Sequence, residues 1–134
     1  QRLMIGLTSS TAATATTIDP STLLNCVFFG NDLADTNYQI MVNDGAGACA
    51  KVDTGFPKNV VDEIYDVTFF CPPNGSYIGY SISRLNDNSS FSGTLTTELP
   101  VSTTFLAPHL YLNNGGTASA VTLDIMKLYI ETDQ

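Results

Sequence analysis

The sequence predicts an all-β domain, a two-sheet antiparallel β-sandwich, and three observations carry that expectation. Apolar residues recur mostly with period two or in short β-branched and aromatic runs. Gly, Pro and Asn clusters interrupt these runs about every eight to twelve residues, the spacing of short strands joined by turns. No segment sustains the i, i+3, i+4, i+7 apolar pattern that a helix needs to bury one face. The 134 residues suffice for one sizeable core and not for two, so 1–134 reads as a single domain.

Nine strands are expected. The first covers 2–8, where "RLMIGLT" alternates, and the polar "LTSSTAATATTIDPST" after it suits an edge strand or a loop. Strands over 22–30, 37–43 and 47–54 follow. Between the last two, "VNDGAGACAKVD" contains Gly45-x-Gly47-x-x-Ala50, the spacing of a dinucleotide-binding loop. Such a loop needs a helix after it and an acidic ribose partner about twenty residues on. Here "CAKVDTGFP" follows, alternating and soon broken by Gly55 and Pro57, so Asp44-Gly45 reads as a hairpin turn.

Strands over 63–71 and 76–85 flank "CPPNGSY", whose Asn74-Gly75 is a strong turn signal. "RLNDNSSF" leads into a strand over 91–99, and a strand over 104–113 ends at "LNNGGTAS". The last expected strand, 119–131, carries Val121, Leu123 and Ile125 on one parity and Met126, Leu128 and Ile130 on the other. A one-residue slip turns every side chain to the opposite face. The strand therefore bulges near Ile125 or is covered on both faces, as a central strand or at a subunit interface.

Charged residues make up 13% of the chain, and Thr, Ser and Asn together outnumber them, so solubility rests on uncharged hydrogen-bonding side chains. With net charge −8 and five basic residues there is no cationic stripe for a phosphate backbone or an anionic membrane, which argues against nucleic-acid binding and membrane insertion. No continuous apolar block suggests a signal or transmembrane segment. The start "QRLMIGL", strand-like and without an initiator Met, suits a fragment cut from a longer polypeptide. Cys26, Cys49 and Cys71 are odd in number and lie in apolar or small-residue runs, which favours buried free thiols over one disulfide with a leftover thiol.

No catalytic constellation stands out, and no enzymatic activity or cofactor is expected. His109 is the only histidine, and no G-x-S-x-G elbow exists to partner it, so a structural or ligand-lining role is expected. Glu63, Glu98, Glu131 and the ten aspartates lie mostly beside turn residues or on alternating polar positions, which suits solvated carboxylates better than a glycosidase pair. Asn31, Asp32 and Asp35, and likewise Asn86, Asp87 and Asn88, offer clustered oxygens of the kind calcium takes, but without EF-hand spacing a plain Asx-turn is the simpler reading, and no metal is expected. Tyr111, Asn113 and Asn114 before Gly115-Gly116 place an aromatic ring and two amides at a sheet end, groups able to stack on a sugar and reach its hydroxyls; a hairpin turn with a packed Tyr is the plainer reading. With Asn86, Asp87 and Asn88 of a second turn, these are the expected ligand-binding residues.

Three stretches together resemble the C-terminal domains of tailed-bacteriophage tail fibres and related virion structural proteins: "LMIGLTSSTAATATTID", "EIYDVTFFCPPNGSYIGYSISRL" and "TTFLAPHLYLNNGGTASAVTLDIMKLYIETD". The resemblance implies a jelly-roll or lectin-like sandwich at the tip of a homotrimeric fibre, a place in the virion, and contact with a host cell-surface glycan or other receptor. A capsid-decorating or fibre-assembly domain without a ligand is the alternative. The chain has no Trp, a common sugar-stacking residue.

Overall fold

The computed structural model describes residues 1–58 and 60–132. Among these, eight strands form: β1 (Arg2–Thr8), β2 (Cys26–Asn31), β3 (Asn37–Asn43), β4 (Ala50–Pro57), β5 (Tyr65–Phe70), β6 (Ile78–Arg84), β7 (Ser89–Leu95) and β8 (Ala107–Asn113). One 3₁₀ turn, Pro20–Thr22, lies between β1 and β2. The strands make a five-stranded sheet, β4-β3-β2-β1-β8, and a three-stranded sheet, β5-β6-β7. Every pairing is antiparallel. The fold is the expected β-sandwich, with each sheet built mainly from sequence neighbours and β8 returning to the first sheet beside β1.

Period-two alternation positions the main core. Phe29, Ile40 and Val42 of the larger sheet and Ile78, Ile82 and Leu95 of the smaller one are all buried in it. Tyr65 of β5 touches Phe29, Tyr38 and Phe56, with ring centroids 5.4–5.7 Å away. That contact seats β5 over the β2–β4 side of the larger sheet and leaves β7 on the side of β1 and β8. Gly93 of β7 sits beneath Tyr80, whose hydroxyl would lie 2.6 Å from a Cβ at that position. Tyr80 continues onto Phe91 as a stacked pair.

The outer face of the larger sheet is apolar too. Met4, Phe28 and Met41 are fully buried there with Cys26, Cys49 and Tyr111. Their cover is the polar segment 9–25, which forms a loop across the sheet and not an edge strand. Its anchors are side chains: Arg2 Nε donates to Asp19 at 2.5 Å, the Tyr111 hydroxyl donates to the Ala15 carbonyl at 3.1 Å, and Thr14 Oγ1 lies 3.1 Å from His109 Nε2. Small Thr, Ser and Ala side chains let this backbone lie close to the sheet.

Three expectations need correction. No strand forms over 119–131, because those residues find no neighbouring strand to pair with, and Met126, Leu128 and Tyr129 are 84%, 68% and 71% exposed. The strand expected over 22–30 begins only at Cys26, since Pro20–Thr22 takes the 3₁₀ turn and Asn25 adopts a positive φ of 47°. Cys71 is exposed at the turn after β5, whereas Cys26 and Cys49 are buried free thiols with sulfurs 3.5 Å apart. The glycine-rich stretch joins β3 to antiparallel β4 with no helix after it, and the buried Asn43 side chain organises the turn through bonds with Asn25, Gly45 and Ala46.

Two predictions follow from the packing. A thiol reagent applied to the native protein modifies Cys71 alone, and Cys26 and Cys49 react only on unfolding, because both are buried beyond a reagent's reach; their shared hydrogen bond pushes the Cys26 thiol up and draws the Cys49 thiol down, so access and not acidity protects Cys49. The count of modified sites by mass spectrometry checks this. Burial, then the nearby Glu63 charge, pushes the Tyr65 hydroxyl up from 10.0 to about 12. The folded state thus holds this proton more tightly than the unfolded chain, so its contribution is complete below pH 10 and is lost as the pH rises toward 12. Denaturant titrations from pH 9 upward should show a shallower alkaline loss for Tyr65→Phe than for the parent.

Candidate functional site

The registers gather four connections at one end of the sandwich. Arg2 pairs with Asn113, Leu3 with Asn31, and Asn37 with Pro57. In the smaller sheet Tyr65 pairs with Arg84, and Arg84 with Ser89. Since Tyr65 lies against Tyr38 and Phe56, residues 32–36, 60–64, 85–88 and 114–118 share this end. Both expected ligand-binding turns are therefore brought to the same end, one on each sheet.

In the turn after β8, Gly115 and Gly116 adopt φ of 65° and 88°, values that favour glycine. Asn113 Oδ1 accepts from the Gly115 amide at 2.7 Å, and Asn114 Nδ2 donates to the Thr117 carbonyl at 2.9 Å and to the Ser119 carbonyl. The turn and the loop that covers the outer face enclose a cleft of about 430 Å³, with Arg2, Thr16 and Thr17 on one side and residues 113–117 on the other. Arg2 Nη1 also donates to the Thr16 carbonyl, so its charge is held by Asp19 and by backbone. Burial of Asp19 opposes its ionisation, but the bonds from Arg2 and from the Leu33 amide prevail and hold the carboxyl below the usual range. The cleft thus offers amides, hydroxyls and carbonyls around a neutralised cation, a set suited to hydroxyl-rich, weakly charged ligands.

Tyr111 does not join this cleft. Its ring is 9% exposed within the outer-face cluster and its hydroxyl is engaged by Ala15, which leaves no free face for a sugar. Of the two readings the sequence offers, the packed Tyr is the one seen here, and the side chain clamps the covering loop. In the other turn Asn86 is structural, accepting from the Ile64 amide and donating to the Asp62 carbonyl, both at 2.8 Å. Asp87 accepts from the Ser89 hydroxyl and amide and from Arg84, interactions that lower its pKa. Asn88 takes a left-handed φ of 59° at the exposed end of this turn.

Other titratable groups have local work. Asp32 and Asp35 meet the Lys51 ammonium at 2.7 and 2.9 Å; burial opposes the lysine's charge, but these carboxylates raise its pKa. Among the described residues no group of three or more His, Cys, Asp or Glu side chains is arranged to hold a metal ion. Glu63 lies 3.1 Å from Arg84 Nε, and Glu131 accepts from the Tyr129 hydroxyl. Sequence reasoning missed Arg2, Thr16 and Thr17, because nothing local shows where a loop will return. It also missed exposed apolar side chains at the same end, with Val61 82%, Leu85 51% and Leu33 44% exposed.

Comparison with protein-family models, curated proteins and solved structures gives no match for this chain. Among the described residues no helix is long and apolar enough to cross a membrane.

The cleft depends on Gly115, where an added Cβ would lie 2.7 Å from Leu33 Cδ1 on a backbone already at positive φ. Gly115→Val should cost about 1–3 kcal/mol through backbone strain and overpacking. Denaturant unfolding would show this as a lower midpoint at unchanged slope.

Proposed function

We propose that this is a non-enzymatic virion domain, the tip of a tail fibre, which binds a host cell-surface glycan with the loop end that carries the cleft. On this reading it acts as a homotrimer among other virion proteins, is assembled in the host cytoplasm, and needs no cofactor. The observation that carries the ligand part is the chemistry of that end: amides of Asn113 and Asn114, hydroxyls of Thr16, Thr17 and Thr117, Arg2 and Arg84 already paired with carboxylates, and Lys58 held by the Asp32 and Leu33 carbonyls. Amide and hydroxyl groups match sugar hydroxyls, while paired cations and a net charge of −8 disfavour anionic partners. The resemblance to fibre tips supplies the biological setting, and turns can vary without loss of fold.

A second reading, a capsid-decorating or fibre-assembly domain without a ligand, draws support from the exposed apolar segment after β8. Glycan-array binding separates the two. On the first reading, Asn113→Ala combined with Thr117→Ala lowers adsorption to host cells about tenfold or more while folding and assembly are retained. Adsorption of the parent should change little between low and high salt. Unchanged adsorption by the double variant moves recognition elsewhere, and collapse in salt replaces the neutral glycan with a charged receptor.

A further inference from the structure

The two sheets are unequal, and the mismatch leaves an opening on one side. β5 lies over β2–β4, so the smaller sheet ends at β7 before it reaches across β8. Leu112 of β8 packs on the main core, and Leu110, two residues earlier on the same face, is 46% exposed. A fourth strand beside β7 would lie across Leu110 and complete the sandwich.

The β7 edge is open to such a strand. Its sequence, SSFSGTL, has no charge and no proline, and its pairing with β6 runs without a register shift from Arg84–Ser89 to Ile78–Leu95. Exposed edges are ordinarily protected by charges, prolines or bulges. The β4 edge has such protection, with Lys51, Asp53, Pro57 and a register shift. Meanwhile residues 119–132 join no ladder: Leu123 packs on the main core of its own chain, whereas beyond it Ile125, Met126, Leu128, Tyr129 and Ile130 are exposed.

We infer that residues 124–132 of one copy, beyond the Leu123 that anchors the segment to its own core, pair antiparallel with β7 of a second copy and cover its Leu110. Direction favours the second copy over the same chain. β7 starts at the loop end, and β8 finishes there, so a chain that turned back onto its own β7 would run parallel to it. All six observed pairings are antiparallel, the somewhat more stable arrangement. A donor from another copy is free to enter in the opposite direction. Parity favours it too: a strand at the rim of one sandwich buries one face, whereas Met126, Leu128 and Ile130 on the face opposite Leu123 and Ile125 need cover that adjoining copies provide. Head-to-tail donation closes into a ring when the rotation allows, as in a trimer.

This inference rests on the self-association part of the proposed function and is independent of its ligand. The test is amide hydrogen exchange on the full chain across a concentration series, with sedimentation at the same concentrations. The expected result is an oligomer in which amides of Ser89–Leu95 and of 124–132 exchange about tenfold slower or more than in dilute protein, while β4 is unchanged. Leu128→Asp with Ile130→Asp, both at exposed positions that leave the fold intact, should abolish that protection and return the protein to monomers. An oligomer without β7 protection overturns the inference and leaves self-association standing. Protection independent of concentration in a monomer overturns it in favour of pairing within one chain. A monomer without protection at any concentration overturns both self-association and the inference.

Discussion

The larger sheet is apolar on both faces, and the rest of the molecule is arranged around covering it. Phe29, Ile40 and Val42 point to one side, Met4, Phe28 and Met41 to the other, and all are at most 1% exposed. A sheet of this kind is stable in water only as a middle layer. The smaller sheet supplies one cover. The segment between β1 and β2 supplies the other, held by the Arg2–Asp19 ion pair and by Tyr111 and His109 reaching out from the sheet. That segment leaves Thr8, runs out along the sheet and returns to Cys26, the register partner of Thr8, and at the far point of this excursion its threonines meet the turn after β8 and form the cleft. Cover and candidate site are thus two consequences of one path of the chain.

The same constraint explains the unequal sheets. Three strands cannot cover five, and the deficit falls at β8, where Leu110 is half exposed. The uncharged β7 edge and the unpaired apolar segment following β8 lie at the two margins of this deficit in the order of the fold. The loop end has another character, with ion pairs and Asx bonds fixing its turns while the threonines of the cleft are exposed and the half-buried Asn113 and Asn114 each use one end of the amide within the turn. Rigid turns of this kind lower the ordering cost of holding a ligand.

Much of the sandwich was legible in the sequence because period-two alternation is a local signal: β1 and β3 have the bounds that alternation places on them, and Asn74-Gly75 and the Asn113–Gly116 run both mark turns. The segment 119–131 was misread for the same reason, since alternation reports a side chain's preference for a pleated surface and says nothing about whether a partner strand is present. Cys71 looked buried in an apolar run but lies where the chain leaves the sheet. At the site, Asn113 and Asn114 were legible from turn chemistry. The burial of Tyr111 was not, because it depends on a loop whose route is set almost a hundred residues earlier in the chain by the Ala15 carbonyl. Arg2, Thr16 and Thr17 enter the cleft only through tertiary contact.

Methionine oxidation tests most directly whether the covering loop makes the larger sheet a middle layer. Met4 and Met41 lie beneath the loop at 0% exposure, and Met126 is 84% exposed. Dilute peroxide with site-resolved mass spectrometry should oxidise Met126 rapidly, leaving Met4 and Met41 reduced until denaturant unfolds the domain. Oxidation of Met4 or Met41 at the rate of Met126 in folded protein would contradict the account, because it would mean that the outer face is open and that no loop is held there to shape the cleft.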